Sequence, residues 1–173
     1  MFMLRSARLE FRRIEESDFD TVAKIMRDEG VRKVWEHYFT DDDVRDWIAR
    51  RQEGYLRNGT DYLLAINVLS REVVGQIGLL KEEIDGEEVW AIGYILMSEY
   101  YGNGYATEGA RAFADYAFST LNASKVVCDI RPTNKASIAV AKRIGMVETG
   151  AYIKKYRGVD MPHLIFELNS SRI

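Results

Sequence analysis

Two short stretches hold the groups best suited to chemistry. The first, Gly102-Asn103-Gly104-Tyr105-Ala106-Thr107-Glu108-Gly109, lies between an apolar run from Ala91 to Met97 and an amphipathic pattern through Ala110, Phe113, Ala114, Ala117 and Leu121. That order reads as strand, glycine-rich turn, helix. Such a turn leaves backbone N–H groups unpaired at the positive end of a helix dipole, where phosphate oxygens bind. Gly102 and Gly104 permit positive φ and let a ligand approach the backbone. The second stretch, Asp129-Ile130-Arg131-Pro132-Thr133-Asn134-Lys135-Ala136-Ser137, follows a strand and opens a helix. It gathers a carboxylate, an amide and a hydroxyl at the strand's C-terminal edge, which ligands of open α/β sheets favour.

The kind of phosphate ligand is narrowed by what the glycine stretch lacks. A P-loop needs Gly-Lys-Ser or Gly-Lys-Thr, and here Tyr105 and Ala106 follow Gly104. A dinucleotide fingerprint needs a third glycine where Thr107 stands, and it normally comes early in the chain. A loop that only turns a strand into a helix is the plain alternative, because Gly-X-Gly alone is a weak signal.

Elements that position these stretches can be read from periodicity. Leu9, Phe11 and Arg13 alternate as a first strand. Ser17 with Asp20 resembles a capping box and opens a helix with Phe19, Val22, Ala23 and Met26 on one face. Thr40 with Asp43 repeats the signal for a second helix lined by Val44, Trp47, Ile48 and Tyr55, which Asn58-Gly59 ends. Strands are expected at Tyr62 to Val68, Val73 to Leu80 and Glu88 to Met97, with hairpin turns at Leu69-Ser70-Arg71 and Ile84-Asp85-Gly86-Glu87. After the glycine-loop helix come a strand from Lys125 to Ile130 and a helix from Asn134 to Ile144 stopped by Gly145. Met146 to Thr149 and Leu164 to Leu168 read as last strands, with Pro162 at the entrance of the final one. The order is β-α-α-β-β-β-α-β-α-β-β.

With 173 residues and 47% apolar content, the chain suits one core, so a single domain over 1–173 is expected. A net charge of −3 without a basic run argues against a nucleic-acid partner. No window approaches the roughly 20 apolar residues of a membrane span. The start, Met1-Phe2-Met3-Leu4-Arg5, is too short for a signal peptide, and a cytoplasmic protein is expected. One cysteine and two histidines offer neither an internal disulfide nor a plausible metal site.

Tyr101-Gly102-Asn103-Gly104-Tyr105-Ala106-Thr107-Glu108 resembles the acetyl-CoA pyrophosphate loop of the GCN5-related N-acetyltransferases (GNAT), nearest the branch of ribosomal-protein N-terminal acetyltransferases. Gly104 and Ala106 fit that loop, while Tyr101 stands where a Gln or Arg is common. The resemblance runs from Arg8 to about Leu168 and implies an α/β fold, a mixed sheet with helices on both faces. It implies acetyl-CoA as cosubstrate and an amine acceptor. It assigns cofactor contacts to Ile95, Leu96, Met97, Tyr101, Gly102, Asn103, Gly104, Tyr105, Ala106, Thr107 and Asn134. Homodimers are common in that family.

Acyl transfer from a thioester to an amine needs a proton acceptor and a donor to the developing oxyanion. Leu96, flanked by Ile95 and Met97, is the expected backbone donor. Asp129 matches a base position of the alanine acetyltransferases, or else it is a strand-end carboxylate holding a neighbouring loop. Ser137 either protonates the departing thiolate or is a helix-surface serine. Asn134 binds the pantetheine arm, caps the helix, or does both. The sequence departs from the family at Ala141, where many relatives have a tyrosine acid, and at Ala91, where many have a glutamate.

The resemblance implies an acceptor groove built by the first two helices, their loop and the final hairpin. That loop, Val34-Trp35-Glu36-His37-Tyr38-Phe39, is aromatic enough to wall an amine site or simply to close the core. Glu36, Glu82, Glu83 or Asp160 would attract the cationic nitrogen. Tyr152, Tyr156 and His163 share the same two readings, and Cys128 reads as core. The expected activity is acetylation of a primary amine, either a protein N-terminus or a small molecule. The rival is a non-catalytic acyl-CoA-binding module.

Overall fold

A computed structural model describes residues 4–172. Thirteen elements follow in chain order: β1 Leu4–Arg5, β2 Leu9–Arg12, α1 Phe19–Met26, α2 Glu29–Trp35, α3 Asp41–Asn58, β3 Tyr62–Asn67, β4 Val73–Ile84, β5 Glu87–Leu96, α4 Tyr105–Ser119, β6 Lys125–Ile130, α5 Lys135–Arg143, β7 Val147–Tyr156 and β8 Val159–Asn169. All strands join one 8-stranded sheet in the order β1-β2-β3-β4-β5-β6-β8-β7. Neighbours run antiparallel except β5 and β6. Helices cover both faces. Phe11, Leu63, Ile77 and Ile92 pack with Phe113 of α4 and Val140 of α5 on one side. Leu64, Leu80 and Ile95 pack with Val22, Val31 and Trp47 of α1–α3 on the other. Each fully buried large side chain contributes roughly 1.5–3 kcal/mol.

Local signals explain most boundaries. Thr40 and Asp43 form the expected capping box at the start of α3, and Gly59 at φ 78° ends it. Asp85 and Gly86, both at positive φ, make the tight β4–β5 turn, which lets β4 run on to Ile84.

Four expectations need correction. The first capping box is Glu15 with Asp18, on a short 3-10 turn, and not Ser17 with Asp20. Asp18 is held there by two bonds from Arg12, at 2.9 and 2.8 Å, so its carboxylate fixes the turn before α1 begins. Helix α2 was not expected; Asp28 caps it by accepting from the N–H groups of Gly30 and Val31. Part of the expected aromatic loop, Val34-Trp35, therefore belongs to a helix. Strand β1 is a two-residue addition paired at Leu4↔Phe11, too short for a periodic signal. The last two strands are longer than the expected Met146 to Thr149 and Leu164 to Leu168, running over Val147–Tyr156 and Val159–Asn169, so Pro162 lies inside β8, opposite Ile153, and not at its entrance. Strand β6 ends at Ile130, opposite Leu164, so at Pro162 that side of β8 has no ladder for a missing N–H to break.

Candidate active site

The site begins where two strands part. Parallel strands β5 and β6 are registered at Ala91↔Val127 alone, and beyond that point β5 pairs only with β4. Antiparallel pairing alternates inward- and outward-pointing N–H groups. The Met97 N–H donates to Val74 O at 3.1 Å, so the N–H of Leu96, its neighbour, points away from β4 toward the open side. The gap is lined by Ile92, Gly93 and Tyr94 of β5 and by Cys128, Asp129 and Ile130 of β6. Gly93 makes room for Tyr62, whose ring and hydroxyl a Cβ there would overlap. The Cys128 thiol donates to Ile92 O at 3.2 Å and is 2% exposed, as its core parity implied.

Past Met97 the chain makes a single turn, Ser98–Tyr100, and enters the glycine stretch. Gly102 and Gly104 both sit at left-handed φ, 78° and 79°, and Gly104 is the N-cap of α4. The first intrahelical bond runs from Glu108 N to Gly104 O at 3.0 Å. The N–H groups of Tyr105, Ala106 and Thr107 thus have no partner within the helix. The Asn103 amide donates to Tyr100 O and Tyr101 O at 3.1 and 3.3 Å, which folds the turn on itself. Glu108 ties the helix start to the beginning of the sheet, accepting from Ser6 Oγ, Arg8 N and Arg8 Nε at 2.6 to 2.7 Å. Asn67 donates to the Tyr105 hydroxyl at 2.8 Å. A cavity of about 1200 Å3 opens over this loop and runs between α4 and α5, with Arg111 and Arg143 on its walls. Its length, its unpaired N–H groups and these guanidiniums suit a long polyanionic ligand.

The expected cofactor residues mostly meet there. Ile95, Leu96, Tyr101, Gly102, Asn103, Gly104, Tyr105, Ala106, Thr107 and Asn134 all line the large cavity. Met97 does not: it is 3% exposed and packs among the buried side chains under α1–α3.

At the first turn of α5, Asn134 Oδ1 accepts from Ser137 N at 3.1 Å, so the capping reading of Asn134 holds. The Tyr94 hydroxyl donates to Ser137 O at 2.8 Å, and burial pushes its phenol up. Ala141, where the resemblance would lead one to expect a tyrosine, is fully buried in the core against the sheet.

A second cavity, about 330 Å3, fills the strand gap on the α1–α3 side. Val34, Trp35, Tyr94, Ile95, Asn134 and Ser137 line both cavities, so the two meet there. Asp129 lies only in the second. Its Oδ2 accepts from the Tyr152 hydroxyl at 2.5 Å and from Lys154 Nζ at 2.9 Å. Burial, which would raise the Asp129 carboxyl, is outweighed by Lys154 and Tyr152, and its pKa lies below the usual carboxylate range. Lys154 also faces Glu82 at 3.8 Å; its own burial is outweighed by Glu82 and Asp129, which keep it charged. Burial lowers the His163 imidazole, whose Nδ1 lies 3.0 Å from Met161 O.

Trp35 stands at the junction, edge-on to Trp47 at 5.7 Å and Tyr156 at 5.5 Å, while Phe39 is 1% exposed and belongs to the core. His37 is spent on the cap, 2.9 Å from Asp43 Oδ2. Glu36 pairs with Arg131 at 3.2 Å, and Glu83 and Asp160 are exposed outside both cavities. Tyr94 and Lys154 were missed by sequence reasoning. Tyr94 alternates with Ile92 and Leu96, which was a usable signal; Lys154 gave none, because its strand extends past the expected Thr149.

The family profile described as Acetyltransferase (GNAT) domain matches residues 8–147. An uncharacterised protein of Bacillus subtilis, YkkB, is 32% identical over 167 residues, covering 94% of this chain and 93% of its own. The uncharacterised N-acetyltransferase YnaD of the same organism is 28% identical over 155 residues, covering 87% and 86%. Among solved structures, a ribosomal alpha-N-protein acetyltransferase (RimL) in complex with coenzyme A superposes with a TM-score of 0.78 at 20% identity, over 97% of this chain and 98% of that one.

Proposed function

This chain belongs to the GNAT acetyltransferase family, whose cosubstrate is acetyl-CoA, and we propose that its two cavities are the acetyl-CoA and amine sites of one N-acetyltransferase. The observation that carries this reading is the junction. A thioester held in the large cavity and an amine in the smaller one meet beside Tyr94, Ile95, Asn134 and Ser137.

In this reading the N–H groups of Tyr105, Ala106 and Thr107, with those of the turn, hold the pyrophosphate. Asn134 and Ile95 flank the pantetheine arm. Acetyl-CoA supplies an activated acetyl group. The outward N–H of Leu96 donates to the carbonyl oxygen as negative charge develops on it. The Ser137 hydroxyl, in the first turn of α5, gives the departing sulfur its proton. Asp129 acts as a positioning residue, because a carboxylate below its usual range and bonded to Tyr152 and Lys154 is a weak base. The acceptor cavity carries two carboxylates, Glu82 and Asp129, among the cations Arg50, Arg51, Arg131 and Lys154, and Glu82 is the one left for an amine because Lys154 sits nearer to Asp129.

The acceptor is a primary amine, either a protein N-terminus or a small molecule. Incubating the protein with acetyl-labelled acetyl-CoA and each class separately tests this. Label is expected in an amide of the amine. Label released only as free acetate would contradict it.

A further inference from the structure

The acceptor cavity contains a carboxylate with open lone pairs, and it is not Asp129. None of the described residues donates a hydrogen bond to Glu82. Its single ion-pair partner is Lys154 Nζ at 3.8 Å, and that ammonium sits nearer to Asp129, at 2.9 Å. The Glu82 side chain is 34% exposed against 11% for Asp129, and both line the cavity.

Its place in the sheet is informative. Leu80 pairs with Ala91 and Glu82 with Val89 across β4 and β5. Side chains two apart on a strand share a face, so Glu82 is the diagonal neighbour of Ala91, within reach of a long side chain. Ala91 leaves the space that a larger residue on β5 would fill, and Glu82 projects a carboxylate beside it from β4. We infer that Glu82 receives the acceptor's ammonium within the smaller cavity and takes its proton, through water, before the nitrogen attacks at the junction. The assignment rests on reading the smaller cavity as the amine site.

The proton balance closes. Glu82 takes one proton from R–NH3+. The nitrogen lone pair then forms the N–C bond as the C–S bond breaks, and the second proton lost by nitrogen ends on sulfur through Ser137. The products are the amide, CoA thiol and a protonated Glu82, which returns its proton to solvent.

Charged and titratable groups face Glu82 from every side: Lys154 and Tyr152 of β7, Asp129 and Cys128 of β6, Arg51 of α3, and Asp61 and Tyr62 at the start of β3, with Arg50, Arg131 and His163 in the same cavity. Burial raises its carboxyl, Lys154 and Arg51 oppose this, and the outcome lies above the ordinary glutamate value. A base closer to neutrality accepts a proton more readily.

The test compares wild type, Glu82→Gln and Glu82→Asp, using spermidine, benzylamine, L-methionine and a peptide with a free N-terminal alanine as acceptors. For whichever is acetylated, Glu82→Gln should lower kcat/KM by roughly a hundred- to ten-thousand-fold. It should also abolish the acid limb of the pH profile, while Glu82→Asp retains that limb at reduced rate. Unchanged acetyl-CoA affinity in both variants shows an intact fold. Glu82→Gln within about threefold of wild type, with the same pH profile, overturns the assignment alone. Wild type that binds acetyl-CoA but acetylates none of these amines counts against the acceptor-site reading beneath it.

Discussion

Asp129 has the position of a base and the partners of a strut. Its place at the end of β6 is readable from the sequence, but its partners Tyr152 and Lys154 come from a strand whose extent was not. Replacing Asp129 by alanine leaves the Tyr152 hydroxyl without its acceptor and Lys154 with Glu82 alone. We expect urea denaturation to record a loss of about 1–3 kcal/mol, toward the low end because Lys154 is about a third exposed. An unchanged midpoint with abolished turnover would restore Asp129 as the base. Ser137 separates more simply: Ser137→Ala should cut kcat about tenfold or more and leave acetyl-CoA affinity alone. A loss below about threefold removes it from the mechanism.

Among the elements, the glycine turn and α4 were the most legible, because two glycines and a helical apolar stripe announce themselves locally. Gly104 holds a left-handed φ of 79°, which a residue with a Cβ adopts only at a cost. Gly104→Ala should therefore cost about 1–2 kcal/mol in the chain and weaken acetyl-CoA binding in calorimetry. The start of α3 is a second such element. Asp43 accepts from Thr40, His37 and Arg157 together, which fastens the β7–β8 turn to the helix that backs the smaller cavity. Asp43→Ala should lower stability by about 0.5–2 kcal/mol and speed amide exchange in both segments; faster exchange in α3 alone would deny the fastening. Arg157 lies far along the chain, so this contact was invisible in the sequence although the capping box was plain. The short α2 escaped for a related reason: its Asp28 cap is followed by Gly30, a poor helix former.

For the molecule as a whole, opposing carboxylates set the pH dependence of stability. Asp18, Asp43 and Glu108 titrate below their ordinary values because hydrogen bonds and cations outweigh burial. They stabilise the fold above the unfolded carboxyl pKa, about 4, and lose that contribution as pH falls through their folded values. Asp61 goes the other way: burial, opposed by Arg51, pushes it up to about 6. The folded state then binds an extra proton between about pH 4 and 6, so this group favours folding at the acid end of that window. Melting temperature should rise to about pH 4 and then decline toward about pH 6, where the Asp61 contribution is lost, with the half-buried His163, held below its ordinary value, opposing that decline. A curve that rises steadily to pH 8 would contradict the assignment of Asp61. The mixed sheet itself was legible because strand alternation and helix stripes switch period along the chain. The splay between β5 and β6, which makes the two cavities meet, is a property of three-dimensional register and leaves no local trace.

The central claim is acetyl transfer at that junction, and CoA release from acetyl-CoA by the purified protein, with and without a panel of peptide and small-amine acceptors, tests it most directly. Release that depends on an acceptor is the predicted result, with bound acetyl-CoA at about a hundred times its Kd stabilising the fold by about 2.7 kcal/mol. Absence of both acceptor-dependent release and measurable acetyl-CoA binding would contradict it.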